Sequence, residues 1–458
     1  MMFSSEIFRQ YDIRGIAGTD LTPELAYHLG RAVGTWVQRG GGKKVVVGRD
    51  CRPSGETLAA ELERGLRESG IDSVDIGVVP TPVVYWAIQH LGADGSVAIT
   101  GSHNPAEYNG FKLTLLGRSL FGEDIQKLRL GMESEDYCEG SGEHQAVDVV
   151  DAYLDELATN LKPLGRPLKV VVDAGNGVGG ITAVPLFERM GCEVISLYCE
   201  LDGTFPNHHA DPTVEENLAD LKRSVLGHGA DIGLAFDGDA DRIGVVDRNA
   251  EVIWGDKLMI LLSRALLKEE PGAVIIGEVK CSKTLYDDIA AQGGKPVMWI
   301  TGHSLIKAKM KETKAALAGE MSGHIFYKHR YYGFDDATYA GGRLLEILGA
   351  TNASVTELLA DVPQTVSTPE IRMDCPEKIK FKLVDQVIDA FKKRSESEPF
   401  SVIDIDGARV EWEDGWGLVR CSNTQPILVL RFEAKSEERL KEIQATIEAE
   451  IESQRLTL

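Results

Sequence analysis

A serine and a histidine stand together in one short polar segment whose residue types could support nucleophilic chemistry. Ser102 and His103 lie within residues 100–105, directly after an apolar, strand-like run. Gly101 permits a tight turn there, and Asn104 with the proline that follows prevents immediate regular structure. The pattern predicts an exposed loop at a strand end, where a serine beside a histidine could act as a nucleophile. Taken alone, the pair fits an ordinary polar turn better, so its interpretation depends on the rest of the chain.

Three aspartates follow another apolar run and form the strongest local signal in the sequence. Asp237, Asp239 and Asp241 are spaced two positions apart, with small residues between them and Arg242 directly after. Carboxylates this close repel one another unless a cation neutralises them, and oxygen ligands suit Mg²⁺. An EF-hand is excluded because Arg242 would stand at its glycine position. A solvated acidic turn is the alternative, and the preceding strand favours the metal site.

Two later segments could bind hydroxyl groups and an anion. Glu320 and Ser322 lie two positions apart, so an extended loop would present both on one side, where they could hold adjacent sugar hydroxyls. Arg420 opens a segment with the donors of a phosphate cradle that lacks a Walker lysine. The other polar members of that segment are Ser422, Asn423 and Thr424. Without context, each segment also fits an ordinary polar turn.

Several cationic residues occur in turn-like segments of a strongly acidic chain. The formal net charge is −22, so an anionic substrate would require cations gathered locally. Arg14 precedes a glycine, where its guanidinium could fork onto phosphate oxygens. Lys112 lies ten residues after Ser102, and a hairpin between them could return its ammonium to the serine. Lys280 and His303 are further candidates in loops.

Length and composition restrict the class of protein. At 458 residues the chain should form three or four domains, and its 43% apolar and 26% charged content is typical of globular proteins. No run is long enough to span a membrane, and the N-terminus lacks the regions of a signal peptide. The acidic charge argues against nucleic-acid binding. Seven cysteines without a CxxC pair predict neither a disulfide framework nor a zinc ribbon, so a reducing cytoplasm is expected.

The candidate segments are separated by alternating strand-like and helix-like patterns. Helices are expected over residues 24–39 and 56–69, the second with leucines four positions apart. Apolar runs that end in polar loops recur at 43–50, 168–175, 231–237 and 273–278. This order predicts three related α/β units with mostly parallel sheets covered by helices. Chemistry in such sheets gathers at the carboxyl ends of strands, where Ser102, Asp237 and Lys280 are expected.

The last part of the chain has a different pattern. Pro363 and Pro369 bracket serine and threonine, which predicts a linker at 363–372. Beyond it we expect a helix at 376–394, four strands and a final helix at 436–453. The apolar face of that final helix comprises Leu440, Ile443, Ile447 and Ile451. This region should form an α+β domain.

Taken together, the four polar segments resemble those of the α-D-phosphohexomutase family, most closely its bacterial phosphomannomutase/phosphoglucomutase branch. They occur in the family's order over essentially the whole chain, as a phosphoserine loop, a metal loop, a sugar loop and a phosphate loop. The resemblance implies three related α/β domains with mixed, mostly parallel sheets, plus a smaller C-terminal α+β domain around a central cleft. The implied domains cover residues 1–148, 149–251, 252–364 and 365–458.

The resemblance also implies a role for each candidate residue. Ser102 would carry a phosphoryl group, and Glu320 and Ser322 would bind the 3- and 4-hydroxyls of the sugar. The ligands of Mg²⁺ would be the serine phosphate with Asp237, Asp239 and Asp241. The non-reacting phosphate would be held by Arg420, Ser422, Asn423 and Thr424. The cleft would be lined by Arg14, Lys112, Arg242, Lys280, His303 and His324. Proton transfer remains open between Lys112 and His103.

The implied reaction is reversible transfer of a phosphoryl group between C1 and C6 of mannose or glucose phosphates. It would pass through a phosphoserine enzyme and a hexose 1,6-bisphosphate, in a monomer whose partner is a small phosphosugar. An amino-sugar phosphomutase is the runner-up, although Met321 matches the glucose/mannose form of the sugar loop. A phosphatase with Asp237 as nucleophile fits less well, because the sequence pattern of such phosphatases has Thr or Val at the position of Asp241. A binder without catalysis is the third alternative.

Overall fold

The computed structural model describes residues 3–422 and 426–458, and these residues form four sheets with their helices. We call the four parts the first, second, third and terminal units, in chain order. The first three sheets mix parallel and antiparallel strands, whereas every named pair in the fourth is antiparallel. This architecture confirms the predicted fold class of three α/β units followed by an α+β unit.

The first unit places its parallel strands at the centre and one edge of the sheet. Its strands are β1 (Ile13–Ile16), β2 (Lys44–Arg49), β3 (Asp72–Val78), β4 (Gly95–Ile99), β5 (Tyr108–Leu115), β6 (Arg118–Ser119) and β7 (His144–Ala146). Its helices are α1 (Pro23–Arg39), α2 (Gly55–Glu68), α3 (Thr81–His90) and α4 (Glu123–Ser134). The strand order is β1-β5-β4-β2-β3-β7, with β4, β2, β3 and β7 parallel.

The second unit repeats this plan with fewer strands. Its helices are α5 (Val150–Asn160), α6 (Gly179–Arg189) and α7 (Ala219–His228), and its strands are β8 (Lys169–Asp173), β9 (Glu193–Leu197), β10 (Ile232–Phe236), β11 (Ile243–Asp247) and β12 (Val252–Ile253). The order is β12-β11-β10-β8-β9, and β10, β8 and β9 are parallel. Every residue of β10 is buried, as expected for a strand whose sheet is covered on both faces.

The third unit has the same arrangement around a four-stranded sheet. Its helices are α8 (Gly255–Glu269), α9 (Lys283–Ala291), α10 (His303–Thr313), α11 (Ala337–Gly349) and α12 (Val355–Leu358), and its strands are β13 (Val274–Glu278), β14 (Lys295–Trp299), β15 (Leu317–Gly319) and β16 (Ile325–Tyr327). The order is β14-β13-β15-β16, of which the first three strands are parallel.

The terminal unit corrects one expectation about the linker. Its strands are β17 (Val366–Ser367), β18 (Ile371–Asp374), β19 (Ser401–Ile403), β20 (Ala408–Trp412), β21 (Gly415–Cys421) and β22 (Ile427–Ala434), and its helices are α13 (Glu377–Ser395) and α14 (Glu437–Arg455). The linker predicted at 363–372 is therefore partly wrong, because β17 and β18 both pair with β22. Short edge strands tolerate the neighbouring prolines, which need no ladder donor there. The predicted apolar face of α14 is confirmed as buried.

Each of the four candidate loops is a connection between two adjacent antiparallel strands. The serine segment joins β4 to β5, the aspartates join β10 to β11, the Glu320 segment joins β15 to β16, and the Arg420 segment joins β21 to β22. In the first three units, the strand before the loop is also paired with a parallel neighbour. All three of those loops therefore start at the carboxyl end of a parallel strand, which was predicted for Ser102 and Asp237 but not for Glu320. Lys280 was also predicted at such an end, and it lies two residues after β13.

Hydrophobic packing joins the first three units more closely than it joins the terminal unit. One apolar cluster extends through the second and third units and includes Trp86 and Val46 of the first. The terminal unit has its own core around α13 and α14. It meets the third unit through a small apolar cluster of Val279, Trp416 and Leu418. No helix in the described part of the chain is both long enough and apolar enough to cross a membrane.

Candidate active site

Ser102 has its hydroxyl enclosed by two partners in the β4–β5 loop. Its Oγ donates a hydrogen bond to Asp237 Oδ2 at 2.9 Å and lies 3.1 Å from His103 Nδ1. The residue is 2% exposed and has a φ of 48°, in the left-handed region that side chains disfavour. The expectation of an exposed loop is therefore wrong for this side chain, because the aspartate hairpin of the second unit closes against it.

The three aspartates of the β10–β11 hairpin are buried and close together. One carboxylate oxygen from each of Asp237, Asp239 and Asp241 lies within 4.8 Å of the others. Among the described residues, buried Asp239 Oδ1 has no hydrogen-bond partner. A hard divalent cation with oxygen ligands would satisfy that atom and neutralise the clustered charge. The donor set therefore fits Mg²⁺.

Lys112 reaches the same carboxylates from β5. Its Nζ lies 2.6 Å from Asp239 Oδ2 and 2.5 Å from Asp241 Oδ2. Thr81, at the start of α3, donates from its hydroxyl to Asp239 Oδ2 at 2.6 Å. The predicted antiparallel return of the chain is correct, but the ammonium contacts the aspartates, whereas the sequence suggested Ser102. Electrostatic attraction explains the difference, because the crowded carboxylates attract a nearby buried cation more strongly than a neutral serine hydroxyl does.

Burial and neighbouring charges push the pKa values of these groups apart. Burial raises the pKa of Asp237 well above its usual value, and Asp241 and Asp239 add to the effect. Burial also disfavours ionised Asp241, but Lys112 and His324 outweigh it and hold that pKa well below its usual value. Burial acts to lower the pKa of Lys112, yet the two carboxylates it contacts raise it well above the usual value. Lys112 is therefore a cation at neutral pH.

Glu320 and His324 connect the sugar-type loop to the aspartates. His324 Nδ1 lies 2.5 Å from Glu320 Oε2, and its Nε2 lies 3.1 Å from Asp241 Oδ1. Burial disfavours both charged forms, but the pairings hold the pKa of Glu320 at about 2 and raise that of His324 to about 10. Gly302 N donates to Glu320 Oε1 at 2.7 Å, and Ser322 Oγ lies 3.4 Å from Oε2. The pair is charged at neutral pH.

Two arginines that lie far apart in the sequence flank the serine loop. Arg242 Nε lies 4.0 Å from Asp237 Oδ2, and Arg14 Nη1 donates to Asn104 Oδ1 at 2.7 Å. Burial lowers the pKa of His103 well below its usual value, and both arginines add to this effect. His103 is therefore neutral at neutral pH. When Ser102 donates its single proton to Asp237, His103 Nδ1 can bridge to the serine oxygen only as the donor.

His303 lies at the start of α10, on the other side of His324. Their ring centroids are 5.8 Å apart, and the ring of Tyr11 packs 6.2 Å away. His303 Nδ1 lies 3.6 Å from Asp335 Oδ2. Burial lowers the pKa of His303 well below its usual value, and Lys307 adds to this effect. The ring is thus neutral and polar, and its place in the predicted cleft remains a prediction.

Lys280 and Arg420 form a second cationic group where the third unit meets the terminal unit. Lys280 Nζ lies 3.1 Å from Glu370 Oε2, and Arg420 Nε donates to Asp406 Oδ2 at 2.9 Å. Burial acts to lower both pKa values, but nearby carboxylates, including Glu278 for both, outweigh it and raise them. Each cation is therefore held charged, and its partner in each case belongs to the terminal unit.

Part of the predicted phosphate loop lies outside the described residues. Asn423 and Thr424 belong to residues 423–425, so their predicted contacts remain predictions. Ser422 is described and buried, with its backbone N–H donating to Ile427 O at 3.0 Å. Lys380 Nζ donates to Ser422 O at 2.7 Å. The start of this loop is therefore fixed by its own unit.

Sequence reasoning missed several groups that support the site. Asp406 and Glu370, which pair with the two terminal cations, have no distinguishing local pattern. Tyr11 donates from its hydroxyl to Thr301 O at 2.8 Å and so links the first unit to the third. The only sequence signal for Tyr11 was its position beside Asp12 and Arg14, in a short polar run. Thr81 could have been found as the residue that opens a helix after a proline.

Comparison with known proteins identifies related sequences along nearly the whole chain. The family description "Phosphoglucomutase/phosphomannomutase, alpha/beta/alpha domain I" matches residues 5–137, and the corresponding domains II and III match 151–251 and 254–366. The description of the C-terminal domain of the same family matches residues 370–450. The family order agrees with the order of the four units.

Individual relatives agree with this assignment. A phosphomannomutase/phosphoglucomutase of Pseudomonas aeruginosa is 47% identical over 449 residues, covering 98% of this chain and 96% of the relative. A phosphoglucomutase of Neisseria gonorrhoeae is 46% identical over 451 residues, covering 98% and 97%. Among solved structures, a phosphoglucomutase/phosphomannomutase family protein of Burkholderia thailandensis superimposes with a TM-score of 0.93 at 45% identity, covering 99% and 98% of the two chains.

Proposed function

The chain belongs to the phosphoglucomutase/phosphomannomutase family, and we propose from this premise that it interconverts hexose 1-phosphates and 6-phosphates through a phosphoserine at Ser102. The substrates would be glucose 1-phosphate, mannose 1-phosphate or both. Family membership and the names of close relatives support the reaction class. The geometry of the buried loops supports the mechanism.

The contact between Ser102 Oγ and Asp237 Oδ2, at 2.9 Å, is the observation that carries this proposal. It sets a hydroxyl beside the carboxylate cluster that fits Mg²⁺. A phosphoryl group on that oxygen would add a further oxygen ligand, and the bound ion would supply charge neutralisation for phosphoryl transfer. Lys112 and His324 contribute fixed positive charge to the same carboxylates. Together these groups favour anionic phosphate in an acidic protein.

The reaction would proceed by two transfers. In the first, the bond between phosphorus and Ser102 Oγ breaks and Oγ takes up a proton, while one hydroxyl of the hexose phosphate bonds to phosphorus and gives up its proton. The product is a hexose 1,6-bisphosphate. In the second, Ser102 Oγ gives up its proton as it bonds to the phosphorus of the other phosphate, and the sugar oxygen that leaves that phosphorus takes up a proton. The bisphosphate must turn over between the two transfers, so the distal phosphate site must accept two orientations of the sugar.

Arg420 and Lys280 would hold the distal phosphate, together with Ser422, Asn423 and Thr424. Both cations are held charged, and Arg420 offers a guanidinium that can bind two phosphate oxygens. Glu320 and Ser322 would bind sugar hydroxyls. Arg14 and Arg242 would contact the phosphate at the serine. The family resemblance implies the roles of Arg420 and its loop, of Glu320 and of Ser322. For Lys280, Arg14 and Arg242 it implies only a place in the cleft, and their phosphate contacts are part of this proposal.

For the proton at Ser102 Oγ, the geometry favours His103 over Lys112. His103 Nδ1 is 3.1 Å from the oxygen, and its ring is held neutral. Lys112 contacts two carboxylates and has a raised pKa, so its ammonium loses a proton less readily. We propose that His103 orients the serine oxygen, while Lys112 stabilises charge.

One ³¹P NMR competition tests the proposal. The tube contains the protein, Mg²⁺, a trace of hexose 1,6-bisphosphate, and the 1-phosphates of glucose, mannose, glucosamine and N-acetylglucosamine. We expect 6-phosphates of glucose and mannose to form, while the Ser102→Ala variant leaves all four substrates unchanged. Faster conversion of an amino sugar would favour the amino-sugar mutase. Release of inorganic phosphate alone would favour a phosphatase with Asp237 as nucleophile, and binding without conversion would indicate loss of catalysis.

A further inference from the structure

The guanidinium of Arg52 lies buried directly against the loop that carries Ser102. Arg52 follows strand β2, and its side chain and that of Asp50 are both 0% exposed. The proposed chemistry gives neither residue a contact with substrate, metal or the reacting atoms. A buried arginine is costly unless all its donors are paired, so its contacts should explain why it stands there.

Every N–H donor of Arg52 has an acceptor, and four of the five acceptors belong to one short segment. Nε donates to Asp50 Oδ2 at 3.0 Å. The other four donors reach Ser102 O at 2.9 Å, Asn104 O at 2.6 Å, Tyr108 O at 3.0 Å and Pro105 O. A guanidinium has five N–H groups in a fixed planar fork, so this arrangement uses its full capacity.

Asp50 completes the attachment from the other side. Its Oδ2 also accepts from Gly101 N at 3.0 Å, and its Oδ1 accepts from Arg52 N at 3.0 Å. A Cβ on Gly101 would lie 2.5 Å from Arg52 Cζ, so only glycine lets the loop backbone rest on the guanidinium. The Asp50–Arg52 pair therefore binds the loop before, at and after the serine.

The second unit encloses the same arginine. The ring centroid of Phe205 lies 4.9 Å from Arg52 Cζ, within the range of a cation–π contact. A Cβ on Gly238, inside the aspartate hairpin, would lie 2.4 Å from Ser102 O and 3.6 Å from Phe205 Cζ. Arg52, Phe205 and Gly238 thus pack around one carbonyl, that of Ser102.

That carbonyl belongs to the residue with the strained backbone. The φ of Ser102 is 48°, and a left-handed conformation at a residue with a side chain persists only where surrounding contacts fix it. Because Ser102 Oγ must meet both Asp237 and His103, a rotation of this backbone would move the oxygen away from the carboxylate cluster. The contact of Arg52 with Ser102 O opposes such a rotation on the carbonyl side, while Ser102 N donates to Thr100 Oγ1 at 2.8 Å on the amide side.

We propose that Arg52, paired with Asp50, is a positioning residue that holds Ser102 in its left-handed conformation so that Oγ stays aimed at Asp237. The inference rests on the proposed function, since it assigns the support of the proposed nucleophile. Arg52 acts through main-chain carbonyls and touches no reacting atom.

The test compares Arg52→Lys with Arg49→Lys. Lysine keeps the charge but cannot supply a planar fork of five donors. Arg49 is the matched control, because it ends the same strand, pairs with Asp75 at 3.2 Å and does not hold the loop. Two readouts are made on the full chain with Mg²⁺: steady-state kcat and KM for glucose 1-phosphate, and amide hydrogen exchange over residues 100–108 without substrate.

We expect Arg52→Lys to lower kcat ~100-fold while KM stays within about threefold, because a misplaced reacting group costs rate more than binding. Exchange over 100–108 should rise about tenfold or more, with other regions unchanged. Arg49→Lys should resemble the unmodified protein in both readouts. A kcat for Arg52→Lys equal to that of Arg49→Lys would overturn the proposal.

A second variant and a readout that needs no turnover keep the result interpretable. If Arg52→Lys does not fold, Phe205→Leu replaces it, since that change removes the ring over the guanidinium and leaves the hydrogen bonds. It should still raise exchange over 100–108 relative to Arg49→Lys, and unchanged exchange would contradict the proposal. The exchange readout needs no turnover. A protein without mutase activity would therefore refute the proposed function, while a raised exchange in Arg52→Lys would still support the positioning role.

Discussion

Ser102 and Asp237 are 135 positions apart in the chain, and Ser102 Oγ nevertheless donates to Asp237 Oδ2 at 2.9 Å. The contact crosses from the first sheet to the second, and Thr81 repeats that crossing by donating to Asp239 at 2.6 Å. The proposed nucleophile and the proposed metal site are thus completed only when two units pack together. Neither unit alone presents the reacting groups in this geometry.

Replacing the serine tests the nucleophile directly. Ser102→Ala removes the only oxygen at this position that could carry the phosphoryl group, so turnover of glucose 1-phosphate should fall ~10³-fold or more. Incubation with hexose 1,6-bisphosphate should leave the variant without phosphoserine by intact-mass measurement. Circular dichroism should be unchanged, because the main-chain contacts that fix this backbone do not involve the serine hydroxyl.

Ser134→Ala is the matched control, since that serine lies exposed at the end of α4 and bonds only locally to Gly131 O. It should keep full activity. Turnover in Ser102→Ala at the level of this control would refute the phosphoserine mechanism.

Charge removal at Asp239 tests the metal site. Asp239→Asn keeps the shape of the side chain but replaces one of the three buried carboxyl groups with an amide, so the Mg²⁺ concentration for half-maximal rate should rise about tenfold or more. Chelation of the unmodified protein should abolish turnover, and added Mg²⁺ should restore it. Asp155→Asn, at a carboxylate with 79% side-chain exposure, should behave as the unmodified protein. An unshifted Mg²⁺ titration for Asp239→Asn would contradict the assignment.

Arg420 should contribute mainly to binding. Arg420→Ala deletes a charged, two-pronged donor from the distal phosphate site, and loss of such contacts is worth about 1.5–3 kcal/mol. The KM for hexose 1-phosphate should therefore rise ~10- to 100-fold, with a smaller change in kcat. Arg394→Ala is the control, because that arginine pairs with Glu398 along α13, away from the loop. Equal KM values for the two variants would remove Arg420 from the site.

A buried carboxylate far from the cleft predicts a pH dependence of stability. Burial raises the pKa of Glu63 on α2 to about 7, with Asp75 adding to the effect and Arg49 and Arg67 opposing it. The ring of His144 also lies close, with Nδ1 3.4 Å from Glu63 Oε2. Because the folded pKa lies above the unfolded one, this group's stabilising contribution is complete below about pH 4.5 and is lost as the pH rises through about 7.

Glu63→Gln removes that titration while keeping the shape of the side chain. Relative to the unmodified protein, the variant should gain about 1–3 kcal/mol in the free energy of unfolding between pH 5 and pH 8, measured by urea denaturation. Glu61→Gln, on the same helix and paired with Arg64 at the surface, should show no such gain. Parallel pH profiles for the three proteins would show that Glu63 titrates normally.

The sequence predicted the elements around the site well because their patterns are local. Buried strands such as β10 are continuous apolar runs, and α14 carries an apolar face with helical spacing, so both could be recognised from neighbouring residues. The acidic spacing of Asp237, Asp239 and Asp241 was readable for the same reason.

Contacts between units could not be predicted from local sequence patterns. The enclosure of Ser102 depends on packing of the second unit, and Lys112 meets the aspartates because its strand lies beside that interface. Glu370 and Asp406 belong to a unit whose position over the cleft is not encoded in any short pattern. The strands inside the expected linker were missed because each is only a few residues long and pairs with β22, far along the chain.

The interface between the third and terminal units is largely polar, and this affects how easily the two units can separate. Arg431 meets Asp256 at 3.2 Å and Ser282 meets Glu433 at 2.8 Å, beside the small cluster around Trp416. When two units with such an interface separate, water can replace the lost hydrogen-bond donors and acceptors, and little apolar surface becomes exposed to solvent. An outward movement of the terminal unit would therefore leave that unit's own core intact. A hexose 1,6-bisphosphate bound beneath the terminal unit would then have room to reverse its orientation without leaving the enzyme.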